Sequence, residues 1–240
     1  MRIDHRTSDQ MRPIRITMAF IPTAEGSVLI EVGRTRVICT ASIEETVPSF
    51  MKNKGKGWIT SEYAMIPRAT NTRTVRESST GKRSGRSMEI QRLIGRSLRT
   101  AIDLDKLGER TVWIDCDVIE ADGGTRTASI TGAFIALKQA VNNLIASGKL
   151  TKDPIRSHVA AVSVGVIGGV PMLDLNYVED SSADVDFNLV MTEHGEFVEI
   201  QGTAERNPFG GEALSELLRL GRKGILELVE IQRQALSNSQ

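Results

Sequence analysis

Residues 116–137, CDVIEADGGTRTASITGAFIAL, carry the chain from a strand into a helix, and the turn between them is built to hold an anion. Continuing the preceding TVWID, Val112, Ile114, Cys116 and Val118 fall at every second residue, the period of a half-buried strand. From Ile130, the apolar residues Phe134, Leu137, Val141 and Leu144 recur at three- and four-residue intervals, the period of a helix. The junction is Asp122-Gly123-Gly124-Thr125-Arg126-Thr127. Two glycines let the backbone turn and approach a ligand closely, and the first N–H groups of a helix have no partner within it. Thr125, Thr127 and Arg126 add hydroxyls and a forked cation. The plainer alternative is a strand–helix loop with Thr125 or Thr127 as N-cap. The spacing is neither GxGxxG nor GxxxxGK followed by Ser or Thr, so no nucleotide-binding fold follows from it.

On the N-terminal side, residues 14–21, 27–32 and 35–43 are rich in Val, Ile and Thr and read as strands, the last two joined by a hairpin at Gly33-Arg34. Residues 1–12 are polar and read as an arm or loop. A cationic loop at 52–57 precedes a strand over 58–66 that ends at Pro67. Residues 68–86, RATNTRTVRESSTGKRSGR, have almost no apolar side chain and read as a long mobile loop, either a solvated linker or a polyanion-binding segment. It carries Arg68, Arg73, Arg76 and Arg86. A helix follows over 87–104, burying Met88, Ile90, Leu93, Ile94 and Leu98. Its Arg92, Arg96 and Arg99 share one face, where like charges repel. Such a stripe suits a partner subunit or an RNA backbone; a solvated face is the alternative.

On the C-terminal side, a polar break at 149–157 leads to strands over 159–166 and 170–178 around Gly168-Gly169, and over 183–191 and 197–203 around His194-Gly195. A long helix over 211–236 closes the chain. The pattern is α/β (α+β): mixed sheets packed with helices, a single domain over 1–240 made of two similar halves, about 1–150 and 151–240, without residue-level repetition.

The 240 residues carry 30 Lys or Arg and 30 Asp or Glu, a net charge of zero, but unevenly placed. Residues 52–99 hold twelve basic residues against three Glu, and residues 174–216 hold eleven acidic residues against one Arg. One surface for a polyanion and a separate acidic site follow from this asymmetry. No apolar run approaches the ~20 residues of a membrane span, and the charged N-terminus lacks a signal peptide's apolar stretch, so the chain reads as cytoplasmic with no membrane partner. Cys39 and Cys116 fall in strands and read as buried thiols; the three histidines show no metal-ligand spacing.

The acidic site is placed at Glu179-Asp180-Ser181-Ser182-Ala183-Asp184-Val185-Asp186. Asp180 precedes a strand on which Asp184 and Asp186, two apart, point to one side. Carboxylates so close raise one another's pKa values unless a divalent cation or an arginine sits among them. An ordinary acidic turn is the alternative.

Taken together and in order, RTSDQMRPI, GRSMEIQRLIGRSLR, CDVIEADGGTRTASITGAF, LDLNYVEDSSADVDFN and FVEIQGTAE resemble the ribonuclease PH family of phosphate-dependent exoribonucleases, over essentially the whole chain. The chain departs from it at Phe187, where methionine is common. The resemblance implies a ribosomal-protein-S5-like β/α fold and a homohexameric ring, a trimer of dimers. It implies a tRNA nucleotidyltransferase that trims tRNA precursors and other structured RNA 3' ends with inorganic phosphate as co-substrate, reversibly. By motif it puts phosphate binding on Arg86, Gly124, Thr125 and Arg126. Catalysis and Mg2+ or Mn2+ fall on Asp180 and Asp186, with Asp186 also suited to act as general acid. RNA guidance falls on Arg68, Arg73 and Arg76. The alternative is a catalytically silent RNA-binding subunit of an exosome-like ring, a form that can lose the cradle or the acids without losing the fold.

Overall fold

The computed structural model describes residues 2–238; Met1, Ser239 and Gln240, which the arm and the single-domain span include, lie outside the described residues. Strands β1 (Ile14–Met18), β2 (Gly26–Val32) and β3 (Thr35–Glu44) form an antiparallel meander, with Gly33 turning the second hairpin at φ 58°. Strand β4 (Trp58–Met65) is followed by α1 (Glu77–Thr80), α2 (Gly85–Ala101) and α3 (Leu104–Leu107). This crossover is long enough to bring β5 (Thr111–Glu120) back parallel to β4. Strand β5 inserts between β3 and β4, giving a five-stranded sheet in the order β1-β2-β3-β5-β4.

The alternation in β5 faces Val112, Ile114, Cys116 and Val118 inward, against α4 (Thr125–Ala146). Cys39 and Cys116 are register partners with sulfurs 3.8 Å apart, both free and buried. Gly132 lets α4 approach the sheet closely, since a Cβ there would lie 2.7 Å from Ile30 Cγ2.

The second sheet has the order β7-β6-β8-β9, built from β6 (Val159–Ile167), β7 (Val170–Leu173), β8 (Val185–Thr192) and β9 (Phe197–Ala204), with α5 (Tyr177–Ser182) between β7 and β8. Strand β6 is a continuous apolar run because both its faces are covered. Val159 and Ala161 pack with α4; Ala160, Val162 and Val164 pack with α6 (Gly211–Ser237). The layers therefore run sheet, α4, sheet, α6. Fully buried Gln232 of α6 ties the inner layers by donating to Thr131 O and Val159 O at 3.1 and 3.0 Å. No helix among the described residues is long and apolar enough to cross a membrane.

Several segments depart from the sequence expectations: the helix expected over 87–104 ends at Ala101, and its Met88 is exposed instead of buried. Strand β1 stops at Met18, where Ala19 turns at φ 50°. The strand expected over 170–178 ends at Leu173, because Asp174 turns the chain at φ 53° and Asn176 and Glu179 then close a reciprocal capping box that starts α5. The loop expected over 68–86 contains α1 and already gives way to α2 at Gly85, where the Ser84 hydroxyl accepts from Ser87 N. The polar arm is docked: Arg2, Arg6 and Arg12 are all more than nine-tenths buried, on Asp174 and Glu179.

Candidate active site

The junction after β5 forms the expected cradle with a different cap. Gly123 and Gly124 adopt φ 79° and 66°, and Gly124, not Thr125 or Thr127, is the N-cap of α4. A Cβ on Gly123 would sit 2.5 Å from Leu175 O, so only glycine fits where the loop packs on the chain leading into α5. No side chain caps α4, which leaves its first-turn N–H groups open to an anion. The Thr125 hydroxyl is turned inward, accepting from Tyr63 Oη at 2.9 Å, and the Thr127 hydroxyl folds back to donate to Gly124 O. Thr125 therefore offers its backbone rather than its side chain. Arg126 is held by Gln201 Oε1 at 3.0 Å and Glu89 Oε1 at 3.4 Å.

Arg86 stands exposed in the first turn of α2, beside a cavity of 450 Å3 that it lines together with Gly123, Gly124, Thr125, Tyr177 and Asp180. A cation and a helix N-terminus therefore face the same space as one of the expected acids. Asp180 precedes strand β8 as expected but sits on the short helix α5, and Asp186 lies on β8 itself; both are half-buried and line a second cavity of 400 Å3 with Glu205. Burial pushes the Asp180 carboxyl up, only partly offset by the charges of Arg86 and Arg126. Burial and then the neighbouring Asp180 push Asp186 up as well, with Arg126 pulling the other way. Asp184 is not part of this pair. Strand β8 begins after it, and its carboxylate accepts from Gly168 N at 2.9 Å, tying down the β6–β7 turn.

Among the described residues, no group of three or more His, Cys, Asp or Glu is placed to hold a metal ion. Two carboxylates repelling one another beside an anion cradle still fit Mg2+ or Mn2+, since Mg2+ commonly takes one or two carboxylates and completes its shell with water and substrate phosphate. Glu205, Glu89 and Gln201 were not legible as site residues. Glu205 and Gln201 do lie in the FVEIQGTAE segment, two strand positions after Glu199 in the case of Gln201.

The raised carboxyls have a consequence for stability. Below the ordinary aspartate pKa both groups are protonated, folded or unfolded, and the repulsion is absent. As pH rises through the raised folded values, the folded state alone carries the cost, so stability is lost with rising pH. Asp186→Asn is therefore expected to raise Tm at pH 7, by about 2 °C. Mg2+ is expected to stabilise the native chain more than the variant. A fall in Tm on substitution, read by calorimetry, contradicts the assignment of strain to this pair.

Arg68, Arg73 and Arg76 are exposed on the segment before α1 and line neither cavity, although Thr70, Asn71 and Thr72 of the same segment line the first. The helical arginine stripe is not the row of unpaired cations that its spacing suggested. Arg96 pairs with Glu199 at 2.7 Å, and Arg99 donates to Ile59 O at 2.8 Å with its guanidinium 4.7 Å above the Trp58 ring. Both are held by this chain's own strands, and Arg92, on the same face, is exposed.

The family model described as 3' exoribonuclease family, domain 1, matches residues 10–141, and that for domain 2 of the same family matches residues 157–224. The chain belongs to the 3' exoribonuclease family. The matched segments include the cradle, Arg86 and both acids. Solved structures agree on the RNase PH fold. Rice (Oryza sativa) Rrp46 is similar at TM-score 0.79 and 19% identity over 98% of this chain and 100% of that one. The Archaeoglobus fulgidus exosome, solved with RNA bound to the active site, is similar at TM-score 0.78 and 25% identity over 95% and 91%. An archaeal exosome core is similar at TM-score 0.76 and 23% identity over 97% and 91%.

Proposed function

We propose that this chain is a phosphorolytic 3'-5' exoribonuclease that trims the 3' ends of tRNA precursors and other structured RNAs, releasing nucleoside diphosphates. The observation that carries the reading is the shared cavity: the uncapped N-terminus of α4 and Arg86 face the same space as Asp180. An anion cradle alone fits many ligands. Set against a pair of acids, it fits a reaction between two phosphates.

In this reading the backbone of Gly124 to Arg126, with Arg86 and Arg126, binds inorganic phosphate and aims one oxygen at the phosphorus of the last linkage. Binding both partners converts a bimolecular encounter between anions into an oriented displacement. The new P–O bond joins the phosphate to the terminal nucleotide, the P–O3' bond breaks, and the 3' oxygen leaves with a proton. Where no cation engages its carboxyl group, Asp186, half-buried beside Asp180, is placed to hand over that proton. A divalent cation held by Asp180 and Asp186 supplies charge stabilisation at the scissile phosphate when bound. No base is required to activate water, which agrees with a site that contains no histidine.

The reading includes a homohexameric ring, with Arg92 on an exposed face and Arg68, Arg73 and Arg76 guiding RNA towards the cavity. Sedimentation velocity reads the assembly directly, and a monomer alone at micromolar concentration contradicts the ring. A second reading, a catalytically silent RNA-binding subunit of an exosome-like ring, is favoured by the likeness to the rice and archaeal structures. The two separate in one assay: purified protein, a tRNA precursor with a 3' extension, and phosphate present or absent. Shortening that requires phosphate supports the enzyme. Binding without shortening supports the silent subunit.

A further inference from the structure

Arg12 lies far in sequence from every residue that the cradle was built from, yet its guanidinium is wedged behind it. Its Nη1 donates to Asp122 O at 2.5 Å and its Nη2 reaches Gly123 O at 3.4 Å. A Cβ on Gly124 would lie 3.3 Å from the same Nη2. The other side of the fork is fixed on Asp174, whose carboxylate takes Arg12 Nε at 2.9 Å, Nη2 at 2.7 Å and the Arg12 backbone N at 2.8 Å. The network continues to the acids. Arg2 forms a bidentate pair with Glu179 at 2.8 and 2.7 Å and also donates to Asp174 O, and Glu179 is the residue before Asp180 in α5. Tyr177 N, at the start of α5, donates to Asp122 Oδ1 at 3.3 Å and closes the circuit.

We propose that Arg12 and Asp174 are a positioning pair that holds the Gly123-Gly124 cradle in register with the acid-bearing helix α5, so that phosphate affinity depends on the N-terminal segment. Three features carry this. Both cradle glycines are in the left-handed region, and Arg12 bonds the carbonyl oxygens just ahead of the open N–H groups, sharing Gly123 O with the Thr35 hydroxyl, which donates to it at 2.6 Å. Asp174 is a non-glycine residue at φ 53°, a costly conformation that persists where surrounding contacts over-determine it. Buried ion pairs are often no more stabilising than apolar packing of the same volume, so stability alone gives no reason for three arginines and two carboxylates here. What they deliver is geometry. Arg12 is not placed to touch the reacting atoms; it acts through the cradle backbone.

The inference rests on the phosphate-cradle reading above, and its test separates the two. Two variants are compared with the native chain: Arg12→Lys, which keeps the charge and loses the fork, and the double variant Arg12→Met with Asp174→Asn, which removes both charges and leaves a residue that tolerates positive φ. Each is measured for Tm, for inorganic phosphate binding by 31P NMR titration, and for RNA binding. The single variant is expected to bind phosphate about ten- to a hundredfold more weakly, as loss of a supporting contact typically does at a functional site, with RNA affinity little changed. The double variant is expected to recover much of the Tm and none of the phosphate affinity. Recovery of phosphate affinity together with Tm, or native phosphate affinity in the single variant, overturns the proposal and leaves the network a purely structural one. If the native chain binds phosphate but never releases nucleotide from RNA, the proposed reaction fails, and the binding comparison still decides the role of Arg12.

Discussion

Asp180→Asn is expected to lower turnover by about a thousandfold while leaving the fold and most RNA binding in place. The carboxylate is half-buried beside Arg86, Arg126 and Asp186, where water screens charge poorly and one oriented group counts for much. Removing one such group from a reacting centre typically costs about 3–4 kcal/mol of barrier, and each 1.36 kcal/mol is a factor of ten in rate. Asn keeps the shape and one acceptor, so α5 and its capping box remain. Single-turnover kinetics with saturating RNA and phosphate read the chemical step. A native rate in this variant removes Asp180 from the mechanism; a lost rate with an unchanged circular dichroism spectrum and RNA affinity supports its role.

Arg126→Ala is expected to act on the other partner. The guanidinium waits on Gln201 and Glu89, two contacts that an incoming phosphate can replace with charge-assisted bonds. Its loss is expected to raise the KM for phosphate by about a hundredfold or more, with the KM for RNA nearly unchanged. Degradation and nucleotide addition share one transition state, so both directions are expected to slow by the same factor. A variant that loses only one direction, or that raises only the KM for RNA, contradicts the placement of Arg126 on the attacking phosphate.

Much of this was legible in the sequence for a physical reason: the informative contacts are local. The two-residue period of Val112 to Val118, the glycine pair and the helical period after Ile130 determine a strand, a turn and a helix without reference to anything distant. The long-range partners were not legible. Arg96 looked unpaired because Glu199 is more than a hundred residues away, and Arg99 because its partner is a backbone carbonyl in β4. Residues 1–12, with Arg2, Arg6 and Arg12, read only as a polar arm or loop, since nothing in a polar segment announces that Asp174 and Glu179 fold over it. Helix α5 is an instructive miss. The alternation of Met172, Asp174 and Asn176 argued for a strand, while Asn176 followed three residues later by Glu179 is a capping-box signature. The box won because both its side chains found their bonds, and that placed Asp180 on a helix facing the cradle.

The central claim is that inorganic phosphate, not water, attacks the RNA. It is tested most directly with RNA carrying a 3' extension and phosphate labelled with 32P, by identifying where the label goes. The label is expected in the β-phosphate of released nucleoside 5'-diphosphates, with no release when phosphate is withheld. Unlabelled nucleoside monophosphates, released with or without phosphate, contradict the account.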